Sequence, residues 1–137
     1  MNLDRFATQK NANEGVWVEP VLFGEKIGVE FLVIGKDSDE VQKYTKAMAK
    51  EISSLPKDER AEVDWKERSK QGTGLRIKGM RAVGGGDVTL GGEKIEATQA
   101  GYVKLFNEIP ELQDFIYNYT EDRANFLSKE KKSLKKQ

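Results

Sequence analysis

The chain has no cysteine, no histidine and only three prolines in 137 residues. Without cysteine there is no disulfide framework and no thiol chemistry. The absence of histidine removes the commonest general base and the commonest metal ligand together. No apolar run approaches the length of a membrane span, and the first residues, MNLDRFATQKNANEG, are polar rather than signal-like. A net field is missing too: Lys plus Arg and Asp plus Glu both number 23, so nothing global attracts nucleic acid or membrane. These absences point to a soluble intracellular protein with no membrane partner.

What is present is 37 % hydrophobic and 34 % charged residues, enough for one domain with a modest core. Polar residues 1–15 read as a flexible N-terminal arm, with Leu3 and Phe6 as possible anchors. From Val16 the composition turns to β-branched and aromatic residues. Val16-Trp17-Val18 and Val21-Leu22-Phe23 precede a turn at Phe23–Lys26, and Ile27 to Ile34 completes a hairpin. In its second strand Val29, Phe31 and Val33 share one face. A lone hairpin is marginal, so this one must pack on helices or on a partner.

Asp37 then serves as N-cap of a helix, with Glu40 three residues on. Val41, Tyr44, Met48, Ile52 and Leu55 form its buried stripe, while Lys43, Lys46 and Lys50 lie outside. Pro56 opens a second helix running to Lys70, nearly all charged, with Glu62–Lys66 and Asp64–Arg68 at i,i+4 spacing and Trp65 as its anchor. Leu75 to Val83 fits both periods, and the three-residue spacing of Ile77, Met80 and Val83 favours helix. Gly84-Gly85-Gly86-Asp87 breaks the chain. Val88 to Ile95 reads as a tight turn between two short extended pieces.

The clearest pattern lies in Gly91 to Leu127. Leu105, Ile109, Leu112, Ile116, Tyr119 and Phe126 recur at helical spacing, on one helix or on two meeting near Pro110. Thr98 or Glu96 starts the first of these, and Asn107 or a neighbour caps the second, with Pro110 in its first turn. Phe126 falls on the apolar side and Arg123 on the polar side, where it needs an acidic partner from the hairpin or from the Val41 helix. The last ten residues, SKEKKSLKKQ, carry five Lys against one Glu.

Motifs for chemistry do not assemble. The glycine clusters lack the Gly-Lys-Ser/Thr ending of a phosphate loop. Asp37, Asp39 and Glu40 lack the spacing of a calcium loop and are explained by helix capping. Glu121 and Asp122 are adjacent and splay apart on a helix. No catalytic, cofactor-binding or metal-ligating residue is assigned, and no cofactor is expected. The Lys-rich tail has no interleaved aromatics, so a solvated helix end explains it better than nucleic acid does. The expected architecture is α+β and mostly helical. It has an N-terminal β-hairpin packed with about four helices and a short glycine-rich turn before a C-terminal helix pair. The parts are an arm at 1–15, a single domain at 16–127 and a basic tail at 128–137.

One ordered set of segments resembles a known family. Glu14-Gly15-Val16-Trp17-Val18-Glu19 is followed by a second strand, then by Gly35-Lys36-Asp37-Ser38 leading into a Lys-rich helix. Further on come Gly91-Gly92-Glu93-Lys94-Ile95, the Thr98 helix start, Leu105-Phe106, Ile109-Pro110-Glu111-Leu112 and finally Glu121-Asp122-Arg123-Ala124-Asn125-Phe126. In this order they resemble the tail assembly chaperones of long-tailed bacteriophages, encoded before the tape measure protein. The chain departs from related sequences at Gly84-Gly85-Gly86, where an aromatic often stands, and in its highly charged middle, residues 56–78.

The resemblance implies a non-enzymatic protein of phage or prophage in the host bacterial cytoplasm. It would bind the tape measure protein, help recruit tail tube protein, and self-associate. Its candidate partner-binding or structural residues are Trp17, Phe31, Tyr44, Leu105, Leu112, Ile116, Asp122, Arg123 and Phe126. The alternatives are a structural component of the phage tail, or a nucleic-acid-associated phage protein that uses the Lys tail.

Overall fold

Val29, Phe31 and Val33 alternate with Glu30 and Leu32, and this period of two builds the central strand of the fold. The computed structural model describes residues 1–128. It shows a mixed α+β, mostly helical chain in which strand β4 (Val29–Val33) lies between β1 (Val16–Val18) and β5 (Ile77–Ala82), all antiparallel. Val16 and Val18 register against Val33 and Phe31, and Ile77, Met80 and Ala82 register against Val33, Phe31 and Val29. All eight therefore share one face, while Trp17, Glu30, Leu32, Gly79 and Arg81 share the other. A register shift beside Leu32 and Val33 accommodates Lys78.

Two of the sequence expectations are corrected by this sheet. The segment from Leu75 to Val83 is largely strand β5 rather than helix, because pairing with β4 settles a pattern that fits both periods. The second strand of the expected hairpin pairs with β1, and Val21–Leu22 (β2) pairs instead with Glu25–Lys26 (β3) in a small separate hairpin.

The inner face of the sheet packs under two helices, α5 (Gln99–Glu108) and α6 (Pro110–Glu121). Thr98 caps α5, its hydroxyl accepting from the Gly101 N–H at 3.2 Å. Pro110 occupies the first turn of α6, where its missing N–H costs nothing. The residue before it, Ile109, holds the N-cap position without a side-chain bond, so the cap expected at Asn107 is not used. Tyr102, Leu105, Phe106, Leu112 and Ile116 are all buried in one core with Phe31, Val33 and Ile77. The rings of Phe31 and Tyr102 meet edge to face at 6.4 Å. A hairpin of β6 (Thr89–Leu90) and β7 (Glu93–Lys94), turning at Gly91-Gly92, precedes this helix pair.

The N-terminus is not a loose arm throughout. Gln9–Glu14 forms helix α1, and Ala12 on it is buried. The Ala12 carbonyl accepts from the Gly35 N–H at 3.0 Å, and the Asn11 amide donates to the carbonyls of Phe126 and Leu127. Ala12 packs where Phe126 closes the other end of the chain, and that burial orders a segment whose own composition is polar.

The middle of the chain forms α2 (Asp39–Ser53), α3 (Lys57–Ala61) and α4 (Trp65–Leu75). The cap of α2 is Ser38, whose Oγ accepts from the Val41 N–H at 3.2 Å, and not Asp37. The single charged helix expected from Pro56 to Lys70 is two helices. Asp64 breaks it by capping α4, its Oδ1 accepting from the Glu67 N–H. The pairs Glu62–Lys66 and Asp64–Arg68 therefore do not form, and Arg68 pairs with Glu51 on α2 instead. Apart from Ser128, the basic tail lies outside the described residues.

Candidate functional site

The α2 stripe has the right spacing for burial, and the fold leaves it half open. Val41 is buried, but Tyr44, Met48, Ile52 and Leu55 are only partly covered. This corrects the expectation of a buried stripe along the whole helix. The reason lies in the next helices: residues 57–71 are mostly charged, and the apolar surface they offer is small. Between α2 and α4 a groove of about 270 Å³ remains, lined by Tyr44, Met48, Trp65, Thr73, Arg76 and Tyr117 among others. It continues past Met48 and Trp65 into a shallower apolar hollow bordered by Ala49, Ile52 and Arg60. Trp65, expected to anchor its helix, is 55 % exposed and forms a wall of both.

The groove is held open by polar contacts at its ends. Arg68 reaches Glu51 with two hydrogen bonds of 2.7 and 3.3 Å, tying α4 to the outer part of α2. The ordinary pKa of Glu51 is lowered, first by that hydrogen bond and then by the Arg68 charge. At the inner end Arg76 is largely buried and donates to Thr120 Oγ1 at 2.9 Å and to Glu121 Oε2 at 2.7 Å. Its guanidinium also sits 4.9 Å from the centre of the Tyr117 ring. The Tyr44 ring lies against Gly72, where a Cβ would stand 3.4 Å from Tyr44 Cε1.

The groove is apolar and aromatic with cationic edges. It offers aromatic and thioether surface with guanidinium groups along it, a combination suited to apolar and aromatic side chains. Among the described residues no group of three or more acidic side chains is placed to hold a metal ion. No described helix is long and apolar enough to cross a membrane.

The residues singled out from sequence fall into three groups. Phe31, Leu105, Leu112, Ile116 and Phe126 are core, each 4 % exposed or less, and cannot touch a partner in this fold. Asp122 and Arg123 are fasteners. Asp122 Oδ1 accepts from the Ala124 N–H at 2.9 Å and caps the short 3-10 turn Arg123–Phe126. Arg123 pairs with Asp37, in the loop before α2, by bonds of 2.6 and 3.1 Å. Trp17 and Tyr44 remain accessible, but on different surfaces. Trp17 lies on the outer face of the sheet beneath Arg81, whose guanidinium carbon is 3.8 Å from the ring. Tyr44 is in the groove. Arg76 and Tyr117 were not legible as site residues. The available signal was the mismatch between a long apolar stripe on α2 and the charged helices that had to cover it.

No protein-family model matches the chain, and neither do the curated proteins or the solved structures with which it was compared.

Proposed function

We propose that this chain is a non-catalytic assembly chaperone that holds an amphipathic helix of its client in the α2–α4 groove. The client class is that implied by the resemblance to phage tail assembly chaperones, a long helical tape measure protein. The site of action would be the host bacterial cytoplasm. The observation that carries the reading is the partly covered apolar stripe of Tyr44, Met48 and Ile52 facing an exposed Trp65. From Val41 to Ile52 the groove wall is about 16 Å long at 1.5 Å per residue, enough for three turns of a client helix. Laying such a helix between α2 and α4 would bury apolar surface on both sides without new backbone bonds, the helix-in-groove mode of recognition. The flanking Lys43, Lys46 and Lys50 keep the same helix soluble when it is empty.

The experiment is co-expression with a long helical tape measure protein, the client class that the resemblance implies. Client found in the soluble fraction and retained with this chain is the expected outcome, and retention should be lost in Trp65→Ala. A client that stays as insoluble as when made alone would sink the reading. Mass analysis of finished particles separates the chaperone from a tail component, because a chaperone should be absent from them.

A further inference from the structure

Two β-hairpins of this fold close through two-residue turns with both residues at positive φ, and they fill those turns differently. Between β6 and β7 the turn is Gly91-Gly92, with φ of 59° and 80°. Between β2 and β3 it is Phe23-Gly24, with φ of 52° and 81°. This is the backbone of the type I′ turn, for which glycine, asparagine and aspartate are suited and a bulky side chain is not. Phe23 is the one non-glycine residue at positive φ among the described residues. Nothing within the chain repays that strain, because its ring is 84 % exposed. A strained backbone that presents an aromatic ring to water marks a position kept for contact with something else.

We propose that Phe23 is a docking finger that inserts into the α2–α4 groove of a second copy of this chain. The groove, about 270 Å³ and walled by Trp65, Tyr44 and Tyr117, has room for a phenyl ring and offers it aromatic edges. Arg76 and Arg68 bring guanidinium groups to the same walls, the cationic partners that a ring face prefers. Charge is matched as well. Glu25, two residues past the finger, is exposed and has no ion-pair partner among the described residues, while Arg60 borders the groove's outer hollow and donates only to the Leu55 carbonyl. One surface thus carries a spare carboxylate and the other a spare guanidinium. Because finger and groove are different patches, the contact is head to tail, and each copy keeps one of each to offer.

The inference rests on the groove being a binding surface, as in the function proposed above. It adds that a second copy covers the groove until a client helix displaces the finger.

Sedimentation velocity of the full chain, alone and over a wide concentration range, tests it without any client. The wild-type chain should associate with rising concentration. Phe23→Gly should remain monomeric, and at concentrations low enough for wild type to be monomeric too its thermal midpoint should be the higher, since glycine relieves the turn. Met48→Asp, with helicity checked by circular dichroism, should also remain monomeric. Mixing the two variants should give a 1:1 pair and nothing larger, because each supplies the patch that the other lacks. A wild-type chain that is monomeric throughout, a Phe23→Gly variant that still associates, or one that melts earlier than monomeric wild type would each overturn the proposal. Failure of client capture leaves these outcomes unaffected, so the two readings can fail separately.

Discussion

Gly35 lies against the ring of Phe126, so closely that a methyl group between them would force a neighbour to shift by a few tenths of an ångström. A Cβ on Gly35 would stand 3.2 Å from Phe126 Cε2 and 3.0 Å from the Ala12 methyl. The first helix, the end of the central strand and the last turn of the described chain meet at this point. Gly35→Ala should therefore destabilise by about 1–3 kcal/mol through overpacking. Phe126→Ala, opening a cavity at a site only 1 % exposed, should destabilise by about 3–5 kcal/mol. Urea unfolding of the two variants checks both, and a neutral Phe126→Ala would contradict the burial described here.

The Asp37–Arg123 pair sets an acid limit on stability. The hydrogen bond from Arg123 holds the Asp37 carboxyl below its ordinary pKa, with the Arg123 and Lys36 charges adding to the effect against a raising contribution from burial. A depressed carboxyl contributes stability that is present above the unfolded pKa and disappears as pH falls through the folded one. That window lies at and below about pH 4. Arg123 is largely exposed, so solvent screens the pair and its contribution is small. Asp37→Asn should lower the thermal midpoint slightly at pH 7 and flatten its fall between about pH 4 and pH 2, where wild type loses the contribution.

At alkaline pH the phenols of Tyr102 and Tyr119 act in the opposite direction. Burial raises both, and Asp122 adds to the effect at Tyr119. A raised acid pKa favours the neutral folded state, so stability should fall as pH rises past about 10. Tyr102→Phe should lessen that fall, as seen by thermal melts through the alkaline range. An unchanged alkaline profile would show that Tyr102 is not among the groups responsible.

Arg76 ties the end of α4 to the end of α6. Its guanidinium bonds Thr120 and Glu121, and its side chain is 11 % exposed against 33 % for Glu121. Arg76→Ala removes bonds that involve a charge and should cost about 1.5–3 kcal/mol. Arg76→Lys should recover only part of the loss, since an ammonium cannot lie over the Tyr117 ring as the planar guanidinium does. Guanidinium unfolding of both variants decides, and full recovery by lysine would reduce the contact to simple charge.

Trp65 and Met48 are expected to show the reverse profile. Both line the groove and neither is buried, so Trp65→Ala should change stability by less than about 1 kcal/mol while abolishing client retention. A large loss of stability with retention unchanged would identify Trp65 as core and remove the groove as the docking surface.

The local chemistry of the sequence determined much of this chain. The helical spacing from Leu105 to Ile116, the Thr98 cap and Pro110 set α5 and α6, because a helix is built from contacts three and four residues apart and its signals sit at its own ends. The alternation of Val29, Phe31 and Val33 set the inner face of β4 in the same way. Arg123 was legible as needing an acid, though not which one, since Asp37 is 86 residues away.

Tertiary structure decided the rest. Ile77 to Ala82 became a strand because β4 pairs with it across more than forty residues, an energy that no local window contains. Residues 9–14 became ordered because Gly35 and Phe126 leave space for Ala12. Whether the stripe of Tyr44, Met48 and Ile52 would be covered depended on what α4 could lay over it. Periodicity records which face of a helix is apolar; only the packing of the whole chain determines whether that face is filled from within or left for a partner.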